Sequence, residues 1–236
     1  MHTHHHFNAD HPPGNKNHLK RLATYASVSV AFVLILLKTY AWYATHSVSL
    51  LSSLADSVLD LVASVINMIA IHHALKPADE EHRFGHGKIE ALSALLQSMI
   101  IIFSASFVLK EAAEHLFDPH PIERPSIAII VTLISILLTS LLIQFQKTVI
   151  RKTKSIAILA DSTHYKADLY LNLGVLFSIG FYILFKWSYV DTLFGAGIAI
   201  YIISTTYKII ISSFKVLLDS ELPALDRDQI LRIIHS

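Results

Sequence analysis

Two pairs of ionisable residues stand inside apolar stretches of this chain. Asp56 and Asp60 lie four residues apart within SLLSSLADSVLDLVASVINMIAIHHAL, and His164 and Asp168 have the same spacing within SIAILADSTHYKADLYLNLGVLF. Residues four apart lie on one face of a helix. Three carboxylates and one imidazole that face each other would form a four-coordinate set of oxygen and nitrogen ligands, which suits Zn²⁺ at bond lengths of about 2.0–2.2 Å.

The composition indicates that these residues lie in a membrane protein. The 236 residues are 53% hydrophobic and 16% charged, whereas soluble domains are about 25% charged. A helix needs ~20 apolar residues to cross a bilayer core. The sequence therefore predicts an all-α, polytopic membrane protein with six transmembrane helices, at 22–44, 50–74, 89–116, 125–147, 156–185 and 189–217.

Lysine and arginine are distributed unequally between the connections, which predicts the orientation of the helices. The connections on one side carry most of these residues: Lys16, Lys20, Arg21, Lys76, Arg83, Lys88, Lys147, Arg151, Lys152, Lys154, Arg227 and Arg232. The connections on the other side carry Arg124 and Lys186. We therefore predict that both termini are cytoplasmic.

The two pairs of ionisable residues are predicted to lie at one depth in the membrane. Asp60 lies about fourteen residues from the cytoplasmic end of its stretch and Asp168 about thirteen from its own, roughly 20 Å in both cases at ~1.5 Å per residue. A lone aspartate could serve as a hydrogen-bonding group between helices, and a lone histidine as a packing residue. Matched pairs on antiparallel helices favour a metal-binding cluster, because a charge at the centre of a span costs on the order of 3 kcal/mol.

Other charged residues in the apolar stretches have simpler interpretations. Lys38, Lys110, Glu111 and Glu114 lie toward the outer ends of their stretches. Long side chains in such places can extend to the interface, so we predict that these four are solvated. Asp161, three residues before His164, is a weak candidate for lining the cytoplasmic access to the cluster.

The ligand set indicates transport rather than catalysis. Four protein ligands leave no open position for an activated water, so the site would hold and release an ion. The enzyme motifs HExxH and GxGD are absent from the sequence, which has no cysteine for thiolate sites. Metal ligands must be deprotonated, so exchange of a divalent cation for protons is expected. A passive divalent cation channel or carrier without proton exchange is the alternative.

Four segments of the chain resemble the cation diffusion facilitator family, in particular its bacterial zinc and iron efflux members. These segments are LKTYAWYATHSVSLLSSLADSVLDLVAS, PADEEHRFGHGKIEALSAL, LADSTHYKADLYLN and IAIYIISTTYKIIISSFKVLLDSELP, within residues 20–225. The resemblance implies proton-coupled export of Zn²⁺, sometimes of Cd²⁺ or Fe²⁺, by alternating access in homodimers of the bacterial inner membrane. The ligand set itself also admits Co²⁺. It places the transport site at Asp56, Asp60, His164 and Asp168.

The resemblance also bears on the loop PADEEHRFGHGK. By residue type alone, Asp79, His82 and His86 could equally lie in an ordinary solvated loop. The resemblance implies that they bind a second Zn²⁺, and that Lys88 and Asp219 form an ion pair at the cytoplasmic side of the dimer. Two interfacial charges without such a role are the alternative, because exposed ion pairs are weak.

The sequence suggests three segments. Residues 1–20 are predicted to form a cytoplasmic tail with His2, His4, His5, His6, His11 and His18, and residues 21–218 the six-helix transport domain. The tail could collect metal or could be disordered. Residues 219–236 are predicted to begin a cytoplasmic domain, which in the family is ferredoxin-like and here is expected to be truncated or absent. The net charge of +1 gives no indication of nucleic-acid binding.

Overall fold

Six long α-helices make up nearly all of the structure, a computed structural model that describes residues 13–45, 48–83, 85–117, 126–185 and 189–219. Within these ranges there is no β-strand. The predicted all-α fold is therefore confirmed. The helices are α1 (Pro13–Thr45), α2 (Val48–Ala74), α3 (Lys88–Phe117), α4 (Ser126–Thr153), α5 (Ile156–Phe185) and α6 (Tyr189–Leu217).

Among the described residues, five helices are long and apolar enough to cross a bilayer. These segments are Asn15–Ala44, Ser53–Ala74, Lys88–Glu114, Ile129–Thr153 and Thr192–Leu217. The helix outside this set is α5, which has 30 residues but carries charged side chains along its first half. It contacts each of the other five helices. Its polar residues 161–165 are buried between these helices, as polar groups at membrane depth must be.

Helix contacts in this protein depend on small side chains. Ala31, Ala41, Ala94 and Ala160 are at most 1% exposed and lie where helices meet. The surface carries large apolar residues, of which Phe103 is 76% exposed. This distribution fits a bilayer, where close backbone approach stabilises helix pairs and the lipid solvates the apolar exterior.

The helix bounds differ most from the predicted segments at the ends predicted to be cytoplasmic. Helix α1 begins at Pro13, so residues 13–20 of the predicted tail are helical. Proline is favoured in the first turn of a helix, because its missing N–H would have no partner there. Helix α4 continues to Thr153, six residues beyond the predicted span. Residues 1–12 and 220–236, with most of the histidine-rich segment, lie outside the described residues.

Candidate metal-binding sites

Helices α2 and α5 bring three of the four predicted ligands together. The Nε2 atom of His164 lies 2.8 Å from Oδ1 of Asp60 and 3.9 Å from Oδ2 of Asp168. The His164 side chain is 9% exposed, and those of Asp60 and Asp168 are 14% and 33% exposed. The three residues thus form a largely buried cluster of carboxylate and imidazole groups, with all ligand atoms within 4.8 Å of each other.

The dimensions of this cluster fit a small divalent cation. Tetrahedral ligands about 2.1 Å from a zinc ion are separated by roughly 3.4 Å, and the two observed separations lie on either side of that value. Oδ2 of Asp168 is buried and has no hydrogen-bond partner among the described residues. A buried carboxylate oxygen without a partner is costly, and a metal ion would satisfy it.

Asp56 lies one helical turn from Asp60, outside the three-residue cluster. Its side chain is exposed on the single chain, in contrast to the partly buried Asp60. The i, i+4 spacing places both aspartates on one face of α2, and Asp60 is hydrogen-bonded to the imidazole of His164 on α5. The predicted fourth ligand is therefore near the cluster and does not complete it in this conformation.

Lys38 differs from the prediction that it is solvated. Its ammonium donates hydrogen bonds to the backbone oxygen of Ser53 at 3.0 Å and to Oγ of Ser57 at 2.6 Å. Both acceptors are on α2, and Ser57 is 1% exposed. The Lys38 side chain therefore extends from α1 toward α2, because α2 offers hydrogen-bond acceptors and lipid does not.

Asp161 is held in a closed network of hydrogen bonds. Its Oδ2 accepts from Oγ of Ser27 at 2.5 Å and from Nε2 of Gln146 at 2.7 Å, and its Oδ1 accepts from Nε2 of Gln97 at 3.2 Å. The residue is 1% exposed, so it does not line an open access path in this structure. Since the donors belong to α1, α3 and α4, this carboxylate fastens α5 to three neighbouring helices.

Tyr165 extends the same network toward α2. Its hydroxyl donates to the backbone oxygen of Ser27 at 3.1 Å and lies 2.8 Å from Oγ of Ser64. The tyrosine is 1% exposed and follows His164 directly in the chain. The hydrogen bonds of Asp161 and Tyr165 therefore fix the rotation of α5 about its axis, and with it the direction of the His164 ring.

The loop between α2 and α3 forms the second predicted cluster. Oδ1 of Asp79 lies 3.1 Å from Nδ1 of His82, and Oδ2 of Asp79 lies 3.5 Å from Nε2 of His86. Gly85 has a φ of 75°, a left-handed conformation that glycine adopts without strain, and it lets the loop fold back. Nδ1 of His86 is buried without a hydrogen-bond partner in the described part of the chain. The donor set fits a divalent metal that accepts nitrogen and oxygen ligands.

Asp79 also organises this loop without a metal. Its Oδ1 accepts a 2.6 Å hydrogen bond from the backbone N–H of His82. That bond is the main reason why the pKa of Asp79 lies below its usual value. Because the folded-state pKa is lowered, the bond stabilises the loop at neutral pH, and this contribution is lost as the pH falls through the pKa of Asp79.

Lys88 and Asp219 form an ion pair within one chain. Nζ of Lys88 lies 2.7 Å from Oδ2 of Asp219, and the two side chains are 55% and 76% exposed. The pair joins the first residue of α3 to the turn that follows α6. At that exposure it contributes at most about 1 kcal/mol to the stability of a single chain.

The fold and the first cluster together define a class of protein. Helix α5, which carries charged side chains in its first half, contacts all five other apolar helices, and with α2 it forms a small cluster of carboxylate and imidazole groups. Ionisable groups grouped at that depth mark the pathway of an ion. The chain is a polytopic membrane protein of the ion-transporter class.

Comparison with known proteins gives the family. The model of the cation efflux transmembrane domain matches residues 24–218. The cation-efflux pump FieF of Citrobacter koseri is 41% identical over 214 residues, covering 91% of this chain and 71% of the relative. FieF of Klebsiella pneumoniae is 41% identical over 212 residues, covering 90% and 70%, and FieF of Escherichia coli K12 is 39% identical over 214 residues, covering 91% and 71%. The chain belongs to the cation diffusion facilitator family and is an integral membrane transporter for efflux of divalent metal cations.

Proposed function

We propose that this protein exports Zn²⁺ from the cytoplasm in exchange for protons, through alternating access to a site formed by Asp56, Asp60, His164 and Asp168. Cd²⁺, Fe²⁺ and Co²⁺ are further substrates that the same oxygen and nitrogen ligands accept. The transporter acts as a homodimer in the bacterial inner membrane. The observation that carries the proposal is the 2.8 Å contact between Nε2 of His164 and Oδ1 of Asp60.

That contact supports competition between protons and metal. A hydrogen bond between an imidazole nitrogen and a carboxylate oxygen requires a proton on one of the two atoms. A metal ion needs both atoms as ligands and therefore displaces the proton. The same pair of atoms thus holds either a proton or part of the coordination shell of the cation. This is the local requirement for coupling the two fluxes in opposite directions.

Proteoliposomes can test the coupling. With Zn²⁺ on both sides and a pH difference across the membrane, we expect net Zn²⁺ movement toward the more acidic compartment, because protons leaving that compartment drive metal into it. Reversing the pH difference should reverse the direction of net movement. A fluorescent zinc indicator inside the vesicles and a pH indicator outside measure the two fluxes together.

The same experiment separates the proposal from its alternative. A passive channel or carrier dissipates a Zn²⁺ gradient at a rate that does not depend on which side is acidic. Equal initial rates for both directions of the pH difference, with no proton movement above that of empty vesicles, would exclude the exchange mechanism. Repeating the measurement with Cd²⁺, Co²⁺ and Fe²⁺ gives the relative transport rates of the four metals.

The loop cluster forms a second part of the proposal. We expect Asp79, His82 and His86 to hold a resident Zn²⁺ that stabilises the α2–α3 connection. Replacing both histidines by alanine should remove one bound zinc per chain and weaken binding there by more than the roughly 10–100-fold effect of losing an outer-shell partner. Bound metal is counted by elemental analysis of purified protein after dialysis against a weak chelator.

A neighbouring histidine provides the control for that count. His73 is exposed, and its Nδ1 interacts with the backbone oxygen of Ile69 in its own helix at 2.9 Å. The variant His73→Ala removes an imidazole without changing the loop. An unchanged zinc content in the double loop variant, equal to that of His73→Ala, would show that the loop does not hold a metal ion.

The homodimer is the remaining part of the proposal. The Lys88–Asp219 ion pair joins the cytoplasmic ends of α3 and α6 within one chain, so its contribution to a dimer would be to fix these two ends relative to each other. Charge reversal at Lys88 and Asp219 singly should weaken dimers in detergent, and the double reversal should restore them. Mass measurement by light scattering gives the oligomeric state.

A further inference from the structure

Lys38 is a partly buried cation near the proposed transport site, and the proposed function does not use it. It lies on α1, seven residues before the helix ends at Thr45 and therefore roughly 10 Å from that end at ~1.5 Å per residue. A lysine at this depth could extend outward to the interface. Instead its ammonium donates to Ser53 and Ser57 of α2, between the protein's helices.

The position of Lys38 follows from the tight connection between α1 and α2. Helix α1 ends at Thr45 and α2 begins at Val48, so the two helices are antiparallel neighbours. Counted from this connection, Lys38 lies at a depth between those of Ser53 and Ser57. The backbone oxygen of Ser53 and the hydroxyl of Ser57 are therefore in position to accept hydrogen bonds from its ammonium. Ser57 is 1% exposed.

Two carboxylates of the proposed transport site lie close in sequence to these acceptors on α2. Asp56 precedes Ser57 in the chain, and Asp60 follows one turn later on the same helix. Ser57, which accepts a hydrogen bond from the ammonium, thus lies between both aspartates of α2. Across His164 from Asp60 lies the third carboxylate, that of Asp168. At the low effective dielectric of a membrane protein interior, a unit charge among three carboxylates changes the local potential strongly.

We propose that Lys38 is a specificity-determining residue that sets the charge of the transport site for divalent cations. Asp56, Asp60 and Asp168 carry three negative charges, and Lys38 reduces the sum to two while His164 binds metal as a neutral imidazole. One divalent ion then neutralises the group, whereas a monovalent ion leaves a net negative charge and a trivalent ion a net positive one. Uncompensated charge is expensive at this depth.

The same charge limits how tightly the site holds its cargo. The tethered ammonium repels the bound cation and offers the carboxylates a counter-ion when the cation leaves. A site with three uncompensated carboxylates would bind a divalent ion more tightly and release it more slowly. Lys38 therefore lowers the affinity of the site for the divalent ion and raises the rate at which the ion is released. This inference rests on the proposed function, because it assumes that the aspartates bind the transported metal.

Binding measurements on the purified full chain test this role. The background is His82→Ala with His86→Ala, which removes the loop cluster from the titration. Lys38→Met deletes the charge and keeps most of the side-chain volume, Lys38→Arg keeps the charge, and Ser57→Ala removes one acceptor while leaving the ammonium. Zn²⁺ binding is measured by calorimetry at constant pH, and Tb³⁺ is added as a trivalent competitor.

The expected results distinguish charge from packing. Lys38→Met should bind Zn²⁺ on the order of tenfold or more tightly and shift the Tb³⁺ to Zn²⁺ preference toward Tb³⁺ by a similar factor. In proteoliposomes its KM and kcat should both fall. Lys38→Arg and Ser57→Ala should remain close to wild type in valence preference, because both retain the positive charge.

Two results would overturn the inference, and they differ from failure of the proposed function. Equal affinities and equal valence preference for Lys38→Met and Lys38→Arg would show that the charge has no role, and weaker Zn²⁺ binding by Lys38→Met would indicate a structural role. Both conclusions require that Asp60→Ala loses Zn²⁺ binding in the same background. Retained binding by Asp60→Ala would disprove the transport site itself and the inference with it.

Discussion

Alanine in place of Asp60 or His164 is expected to abolish metal transport while leaving the protein folded. Each substitution removes one of the two atoms that meet at 2.8 Å and so both a metal ligand and a proton-holding group. Loss of such a ligand should lower the rate by more than the roughly 10–100-fold effect of losing an outer-shell partner. Initial rates of Zn²⁺ uptake into proteoliposomes, at several zinc concentrations, measure the loss.

A matched control comes from a carboxylate on the outer part of α3. Glu114 is 64% exposed and pairs only loosely, at 3.3 Å, with Lys110 one turn away. Glu114→Gln changes the charge of the protein by the same amount as Asp60→Ala, yet it should keep the wild-type rate. The double variant with Asp60→Ala and His164→Ala should be no worse than either single variant, because one ligand already suffices to destroy the site.

Retained transport would contradict the assignment in a specific way. If Asp60→Ala and His164→Ala both kept rates within a factor of two of Glu114→Gln, the α2–α5 cluster would have to be a structural contact. If only Asp56→Ala were tolerated, three ligands and water would form the working site. That outcome would agree with the position of Asp56 outside the cluster in this conformation.

The long helices could be predicted closely from the sequence. In lipid, all backbone polar groups must be satisfied within the segment, so an apolar run of sufficient length has only the helix available to it. The predicted segments 156–185 and 189–217 coincide with α5 and α6. The ends of α1 and α4 were less predictable, because polar residues that leave the bilayer can still continue a helix in water.

The α2–α5 contact was predictable for a related reason. Charges in apolar surroundings need partners, and equal spacing at equal depth left few alternatives. The structure brings Asp60, His164 and Asp168 together, but it places Asp56 apart from them. Spacing along one helix determines which face a residue occupies and gives no information about how closely the neighbouring helix approaches that face.

Lys38 could not be assigned correctly from its depth alone. A long side chain near a helix end can extend either to the interface or to a neighbouring helix, and both satisfy its ammonium. The informative signal was the short connection between α1 and α2, which places Ser53 and Ser57 opposite Lys38. Pairing residues across such a connection would have predicted the contact.

Asp161 should contribute more to stability than any residue of the two metal clusters. Its carboxylate accepts hydrogen bonds from Ser27, Gln97 and Gln146, which come from three different helices. Asp161→Ala removes this shared acceptor, and a buried donor that finds no other partner costs about 1–3 kcal/mol. The network was hidden in the sequence, because its residues lie on four different helices and no spacing along the chain connects them.

We expect Asp161→Ala to lower the free energy of unfolding by about 3 kcal/mol, less than the sum for three donors. The reduction arises because Nε2 of Gln146 also lies 3.0 Å from Oγ of Ser27, so these two groups still satisfy each other. Thermal unfolding in detergent, followed by near-ultraviolet circular dichroism, measures the change. Ser106→Ala is the control, since that exposed hydroxyl donates to the backbone oxygen of Ile102 in its own helix.

Asp161→Asn separates hydrogen bonding from charge in the same network. Both glutamines present Nε2 to this position, so the new amide nitrogen needs one glutamine amide to turn over and present Oε1. Oε1 of Gln97 and Oε1 of Gln146 are free to do so, because both lack a partner among the described residues. We therefore expect Asp161→Asn to retain most of the stability that Asp161→Ala loses, and to bind Zn²⁺ as the wild type does. Equal melting temperatures for Asp161→Ala and Ser106→Ala would show that the network does not hold α5. The direction of the His164 ring would then have to depend on Tyr165 and its contacts with Ser27 and Ser64.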